Sequence, residues 1–227
     1  MIQRGVITVH HLNNSRSQRV LWMLEELEVP YEIVKYERDP ETMLAPKSLE
    51  AIHPLGKSPV ITDGDAVLAE SGAILEYLVE TYGKGRFAPA AGTQAYRDYR
   101  YFMHYAEGSL MPFLLLKLVT QRLQHAKMPF FAKPIAKKIG EKLAGDFVDP
   151  NLRRHVAFLG AHLAKHRWFA GDELSAADVQ MSYPMEAAVA RAAELGAPPQ
   201  LAEFVKRCKE RPAFQRALAR GGPYDLG

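Results

Sequence analysis

The chain has 227 residues, 24% charged and 48% in the hydrophobic set, a balance that excludes a disordered or fibrous protein and fits one or two compact domains. With 29 basic against 26 acidic side chains the net charge is +3, too small to point to nucleic acid by bulk charge. That sum hides a contrast, because residues 1–84 carry 8 basic and 13 acidic groups, net −5, and residues 85–227 carry 21 and 13, net +8.

A single cysteine, Cys208, excludes an internal disulfide framework, a Cys-x-x-Cys redox pair and a cysteine-rich zinc site, and fits a reducing compartment. Arg4 interrupts the first residues and no apolar run of about 7 to 15 follows it, so no secretory signal is expected. The most apolar stretch, 110–119, contains Pro112 and Lys117 and falls short of the roughly 18 residues a membrane span needs. A soluble cytoplasmic protein is expected.

In chain order, residues 5–12 are β-branched and short, and Asn13-Asn14-Ser15 breaks them with residues that favour turns and caps, which predicts a strand ending near Leu12. From Ser17, the apolar residues Val20, Leu21, Leu24 and Leu27 recur at helical spacing until Pro30. Residues 31–36 read as a second strand, and a strand–helix–strand run this tight implies a parallel pair with a right-handed crossover. Residues 40–52 hold Met43, Leu44, Leu49 and Ile52, enough for a short or broken helix. Residues 59–62 and 66–68 flank Asp63-Gly64-Asp65, a hairpin signal, with Pro59 suited to a strand's first position. Ser71 opens a helix with the stripe Ile74, Leu75, Leu78 and Val79, which Gly83 is placed to end. The predicted order is βαβ, α, ββα.

Beyond a Gly-, Pro- and Ala-rich connector at 83–92 no strand pattern recurs. A long helix is predicted over 95–125, its apolar side carrying Tyr96, Tyr99, Phe102, Met103 and Ala106, with a break or kink at Gly108 and Pro112. Further helices are expected at 152–168, 176–195 and 201–208. Ser175 and Asp178 read as a capping box with Leu174 and Val179 as its staple, so Asp178 is assigned structure rather than catalysis. The segment 127–142 carries five lysines, one acid and two adjacent phenylalanines. It reads as a Pro-broken connector over a cleft, in preference to a surface for anionic membrane or nucleic acid, because Pro129 and Pro134 interrupt a continuous amphipathic helix.

The predicted order, together with His53-Pro54-Leu55-Gly56-Lys57-Ser58-Pro59 and the Glu70-Ser71 pair, resembles the thioredoxin-like half of a cytosolic glutathione S-transferase. The likeness extends over nearly the whole chain, and the run from Asn14 to Trp22 is similar to a branch known mainly from bacteria and fungi. It implies an α/β thioredoxin-like domain over 1–84 that binds glutathione, and an all-α domain over 93–222 that contributes the electrophile site. Two-fold homodimers are usual in the family, and the opposite net charges of the two parts fit such a contact.

The chemistry implied needs glutathione's thiol as a thiolate. A thiol of ordinary pKa about 8.5 is mostly protonated at neutral pH. One hydrogen bond to the charged sulfur, worth roughly 1.5–3 kcal/mol, lowers that pKa by about one to two. Ser15 is the first candidate donor. It sits beside the N-terminus of the following helix, four residues before Arg19, as in the theta-type branch it is similar to. A helix cap would explain the same serine. Asn14 or Asn13 could donate instead. There is no tyrosine or cysteine in this turn.

Ser71, at a helix N-terminus, suits the γ-glutamyl carboxylate and Glu70 its amine. Lys57 would reach the glycyl carboxylate. The resemblance implies a cis Ser58–Pro59 peptide whose residue 58 offers its backbone to the cysteinyl unit, and an Arg19 that ties the helix down. The electrophile belongs in the seam between domains, with Phe102, Tyr105, Met111 and Phe113 as lining candidates or ordinary core. No metal site is expected from the eight histidines: His10 and His11 point to opposite faces of a strand, and His162 and His166 lack an accompanying motif. The function expected is conjugation of glutathione to small hydrophobic electrophiles, without nucleic-acid or membrane partners. The alternatives are a non-catalytic member of the fold that binds a protein or hydrophobic ligand, and a peroxidase or isomerase using the same thiolate.

Overall fold

The computed structural model describes residues 6–126 and 128–224. A four-stranded sheet has the order β2-β1-β3-β4 and comprises β1 (Ile7–Leu12), β2 (Tyr31–Tyr36), β3 (Val60–Asp63) and β4 (Ala66–Ala69). β1 and β2 run parallel, from Ile7 opposite Tyr31 to Leu12 opposite Tyr36, and β3 pairs antiparallel with both β1 and β4. The crossover between β1 and β2 is α1 (Ser17–Leu27), and α2 (Ser71–Tyr82) follows β4. Residues 40–52, expected as a short or broken helix, hold a single 3-10 turn, Lys47–Leu49, whose Leu49 is buried.

The stripe Ile74, Leu75, Leu78 and Val79 is buried as its spacing predicts. Gly83 ends α2 by a different device from a left-handed cap. It keeps right-handed geometry, and a Cβ there would lie 2.3 Å from the Val79 carbonyl oxygen, so close backbone approach is what demands glycine. The left-handed step falls on Lys84, at φ 51°.

The rest is helical: α3 (Gln94–Tyr105), α4 (Met111–Gln124), α5 (Lys133–Leu143), α6 (Asp149–Leu163), α7 (Ala176–Arg191), α8 (Pro199–Lys209) and α9 (Pro212–Gly221). The break expected near Gly108 is a π turn at Ala106–Leu110, and Pro112 opens α4 where its missing N–H costs nothing. The capping box at Ser175 forms: Asp178 accepts from the Ser175 N–H and hydroxyl, both at 2.8 Å, and from the Phe169 N–H at 2.7 Å.

Two expectations are corrected. Residues 133–143 are a helix, not a broken connector, because Pro134 falls in the first turn, where proline is tolerated. Gly140 lets α5 approach α4, since a Cβ there would meet the Thr120 carbonyl at 3.1 Å. Phe131, in the turn before α5, and Ile135 and Ile139 on its outer side are exposed, and Lys127 lies outside the described residues. Second, α9 was not foreseen, because its only buried apolar positions are Ala213, Phe214 and Ala217.

That last helix decides how α1 is packed. Ser17 to Leu24 are buried without interruption, since β1, α2, α7 and α9 all contact α1. Phe214 meets Trp22 edge-on at 5.2 Å between ring centroids. Around this apolar contact Arg216 reaches Glu25 at 2.7 Å, Arg211 reaches Glu26, and Arg220 lies over Tyr31 at 3.7 Å. Part of the charge contrast between the acidic first third and the basic remainder is therefore satisfied within one chain.

Candidate active site

Ser15 lies in the turn between β1 and α1, and its side chain is turned inward with 4% of the residue exposed. Its Oγ accepts the Ser17 N–H, the first of α1, at 3.2 Å. The same oxygen lies 2.6 Å from the Ser17 Oγ and 3.5 Å from the Ser58 Oγ. Ser58 in turn donates to the His10 carbonyl at 2.8 Å and accepts the Leu12 N–H at 3.3 Å. These bonds pin the loop that carries Lys57 and Ser58 against the end of β1. The Ser58–Pro59 peptide is cis and Pro59 is buried, one residue before β3.

Asn14, half-buried at φ 48°, precedes Ser15, and its carbonyl accepts from Arg38 at 3.4 Å. The Asn13 side-chain oxygen is held by the Arg38 N–H at 3.0 Å. Lys57 is exposed and makes no ion pair with a described residue.

Glu70 occupies φ 70°, a left-handed conformation that strains any residue with a Cβ. Its carboxylate is exposed and does not cap α2, so capping fails to explain the acid. Ser71, 3% exposed, begins α2, and its Oγ accepts from the Arg19 guanidinium at 2.8 Å, which leaves its own proton to donate. The Gln180 side chain from α7 flanks the same helix start, 3.4 Å from where a Gly72 Cβ would be.

Arg19 holds the arrangement together. Buried at 1% exposure, it donates to Ser71, to the Gln180 carbonyl at 2.6 Å and to Glu107 at 2.6 Å. Glu107 also takes the Arg16 Nε at 3.0 Å, and both guanidiniums lie over the Tyr183 ring, at 5.4 and 5.5 Å. Burial lowers the Arg19 pKa, with Glu107 opposing; burial would raise that of Glu107, but Arg19 and Arg16 hold it below the usual carboxylate range. Ser15, Ser58 and Ser71 are thus brought to one end of the sheet, beside a seam closed by Arg16, Glu107 and Tyr183.

Phe102 is 2% exposed and packs against Phe169 and His162, with ring centroids 4.5 and 4.7 Å away, inside the helical domain. Met111 is buried in the same core, and Phe113 packs on His155 and Phe147. Tyr105 bonds His155 Nδ1 and lines a hollow of about 600 Å³ with Arg97, Arg100 and His104, to which the sheet-bearing half adds no residue. Aromatic residues at helical spacing here fill the helical core. Cys208 is buried, and burial pushes its thiol pKa well up, so it is no nucleophile.

Three residues of this network escaped sequence reading: His11, Ser17 and Glu107. A serine two positions beyond Ser15 was the available signal for one of them. Nothing local marks Glu107, whose partners lie 88 and 91 residues away.

Comparison with known proteins agrees with this architecture. A family model for the glutathione S-transferase N-terminal domain matches residues 15–81, and one for the glutathione S-transferase C-terminal domain matches residues 122–220. Glutathione S-transferase 3 of Schizosaccharomyces pombe is 39% identical over 184 residues, covering 81% of this chain and 74% of its own. Glutathione S-transferase 1 of Saccharomyces cerevisiae is 32% identical over 193 residues, covering 82% of each. The crystal structure of a glutathione S-transferase from Actinobacillus pleuropneumoniae superposes with a TM-score of 0.82 at 31% identity, covering 97% of this chain and 95% of that one. A thioredoxin-like half and a helical half, joined through Arg19 and matched in sequence over most of their length, place the chain in the glutathione S-transferase family of enzymes.

Proposed function

We propose that the protein conjugates glutathione to small hydrophobic electrophiles, with the Ser15 hydroxyl stabilising the thiolate as in the theta-type branch. The observation that carries this reading is the contact of Ser15 with Ser58, 3.5 Å between hydroxyl oxygens, which joins the turn after β1 to the Ser58–Pro59 peptide. A tripeptide lying along that peptide would set its sulfur near the turn after β1. Its γ-glutamyl end would meet Ser71 and Glu70, and Lys57 would face its glycyl carboxylate. The strained backbone at Glu70 supports a binding role, because such conformations persist where function requires them. Catalysis is then thiol activation plus proximity, with glutathione as co-substrate and no metal. Action in the cytoplasm as a two-fold homodimer completes the reading.

The test is Ser15→Ala, with the absorbance of bound thiolate followed against pH. The expected result is a raised pKa of the bound thiol with little change in glutathione affinity. An unchanged titration would move the role to Asn14 or a backbone N–H, Ser15 being inward-facing and already bonded to Ser17. Calorimetric titration separates the enzyme from a non-catalytic member of the fold, which would give no heat with millimolar glutathione. Peroxide reduction or isomerisation would use the same thiolate, and product analysis distinguishes them.

A further inference from the structure

Behind Ser15 the hydroxyls continue inward to a buried histidine. Ser15 Oγ lies 2.6 Å from Ser17 Oγ, and Ser17 Oγ lies 2.8 Å from Nδ1 of His11, itself 6% exposed near the end of β1. Gly221, at the end of α9, stands against the same imidazole, where a Cβ on it would lie 3.4 Å from Cε1, and its backbone raises the His11 pKa. With Nδ1 facing Ser17, Nε2 is the ring nitrogen left to carry the proton of the neutral form in which Nδ1 accepts.

Each serine has one proton, and the 2.8 Å contact of Ser17 Oγ with Nδ1 outweighs its 3.5 Å donation to the Leu12 carbonyl, so the direction of the chain is decided at its inner end. In the neutral ring protonated at Nε2, Nδ1 is bare and takes the Ser17 proton. Ser17 Oγ then takes the Ser15 proton, and Ser15 shows the outside only a lone pair. Ser58 does not supply the deficit, since its own proton goes to the His10 carbonyl. A proton on Nδ1 reverses every link: His11 donates to Ser17, Ser17 to Ser15, and Ser15 is freed to donate outward.

We propose that His11 is the acceptor of glutathione's thiol proton, reached through Ser15 and Ser17, and that its protonation turns the Ser15 hydroxyl toward the thiolate. The proposal rests on the reading of Ser15 given above. In the step, the S–H bond breaks and its proton passes to Ser15 Oγ; the Ser15 proton passes to Ser17 Oγ, and the Ser17 proton to His11 Nδ1. A neutral thiol and a neutral imidazole become a thiolate and an imidazolium, and both hydroxyls end intact but reversed. His11 is a positioning residue and does not touch the substrate. The charged group facing the ring is Lys35, its register partner on β2; α1 presents Ser17 and α9 the Gly221 backbone. Burial first, then Lys35, lower the His11 pKa, with the Gly221 backbone opposing, and the balance favours the neutral ring; the lowered basicity works against proton uptake, and a thiolate at the outer end of the hydroxyl chain would work for it.

The experiment follows bound-thiolate absorbance against pH, with glutathione affinity by calorimetry, in Ser15→Ala, Ser17→Ala, Ser17→Thr and His11→Gln. Ser17→Ala and His11→Gln are expected to raise the pKa of the bound thiol by about one while affinity stays within about twofold, and Ser17→Thr, which keeps a hydroxyl, to restore it. In the unaltered protein, ¹⁵N chemical shifts of His11 should show Nδ1 gaining a proton when glutathione binds, a readout that survives if a variant fails to fold. If Ser15→Ala shifts the titration while Ser17→Ala and His11→Gln do not, the relay is wrong and the Ser15 reading stands. An unmoved titration in Ser15→Ala overturns both. A His11 Nδ1 that stays bare with thiolate bound also overturns the relay.

Discussion

Arg19 on α1 and Glu107 in the π turn after α3 close an ion pair of 2.6 Å across the two halves of the chain, with the arginine side chain 1% exposed and the glutamate 31%. The π turn inserts one residue into the helical register, and such bulges often sit at functional sites. Glu107 is thereby presented to Arg16 and Arg19 together. The same arginine bonds the first residue of α2, so the relative position of the two helix N-termini beside the cleft depends on one buried cation.

Glu107→Gln removes the charge that compensates Arg19 without removing bulk. Leaving a buried guanidinium unpaired is expected to cost about 2–3 kcal/mol, less than for a wholly buried pair because Glu107 is partly exposed. The Glu107 carboxyl is held below its usual range, so its contribution is present above the unfolded carboxylate pKa and lost as pH falls through the lowered folded one. Urea unfolding at pH 7 reads the loss; a midpoint that does not move would show that the pair carries no net stability.

Asp178→Ala leaves the Phe169 N–H and both Ser175 donors without a partner in the core, and is expected to destabilise the fold by about 3 kcal/mol or more. Burial pushes the Asp178 carboxyl up to about 6, so it binds its proton more tightly folded than unfolded. Its contribution to stability is therefore fully present below about pH 4 and declines as pH rises through about 6. Denaturant midpoints taken across pH 4 to 8, in the protein and in Asp178→Asn, check the sign: the decline should vanish in the variant.

Lys57→Ala should raise KM for glutathione about fivefold and leave kcat within about twofold, because an exposed lysine meeting a carboxylate supplies roughly 1 kcal/mol of binding in ground and transition states alike. Steady-state kinetics with glutathione varied separates the two parameters. A fall in kcat at unchanged KM would place Lys57 at the reacting sulfur instead.

Phe214→Ala opens a cavity between α9 and α1 beside Trp22, at an expected cost of about 3–4 kcal/mol. Both the unfolding midpoint and the tryptophan fluorescence of the folded state should change. If α9 were only a loosely held tail, neither would.

Much of the first half was legible before any coordinates. The spacing of Val20, Leu21, Leu24 and Leu27, the Asp63-Gly64-Asp65 turn and the stripe from Ile74 to Val79 are local signals, and strand and helix follow from them because propensity and periodicity act within a few residues. The motifs around Ser58–Pro59 and Glu70-Ser71 named the family for the same reason. Where the local signal was thin, the reading failed: α9 has a single large buried side chain, and α5 was obscured by a proline that turned out to open it.

What the polar positions do was settled only by the assembled fold. Arg19, on the polar side of an amphipathic pattern, would face water if α1 stood alone; α2, the π turn and α7 supply its partners, which lie 52, 88 and 161 residues along the chain. Phe102 and Met111 went to the core rather than the cleft because helix packing, not residue type, sets which side of a helix faces inward. Sequence alone determined the elements and the chemical kit of the site. Tertiary packing decided which groups meet, since a buried charge or hydroxyl is stable only where distant backbone and side chains supply the partners that water no longer can.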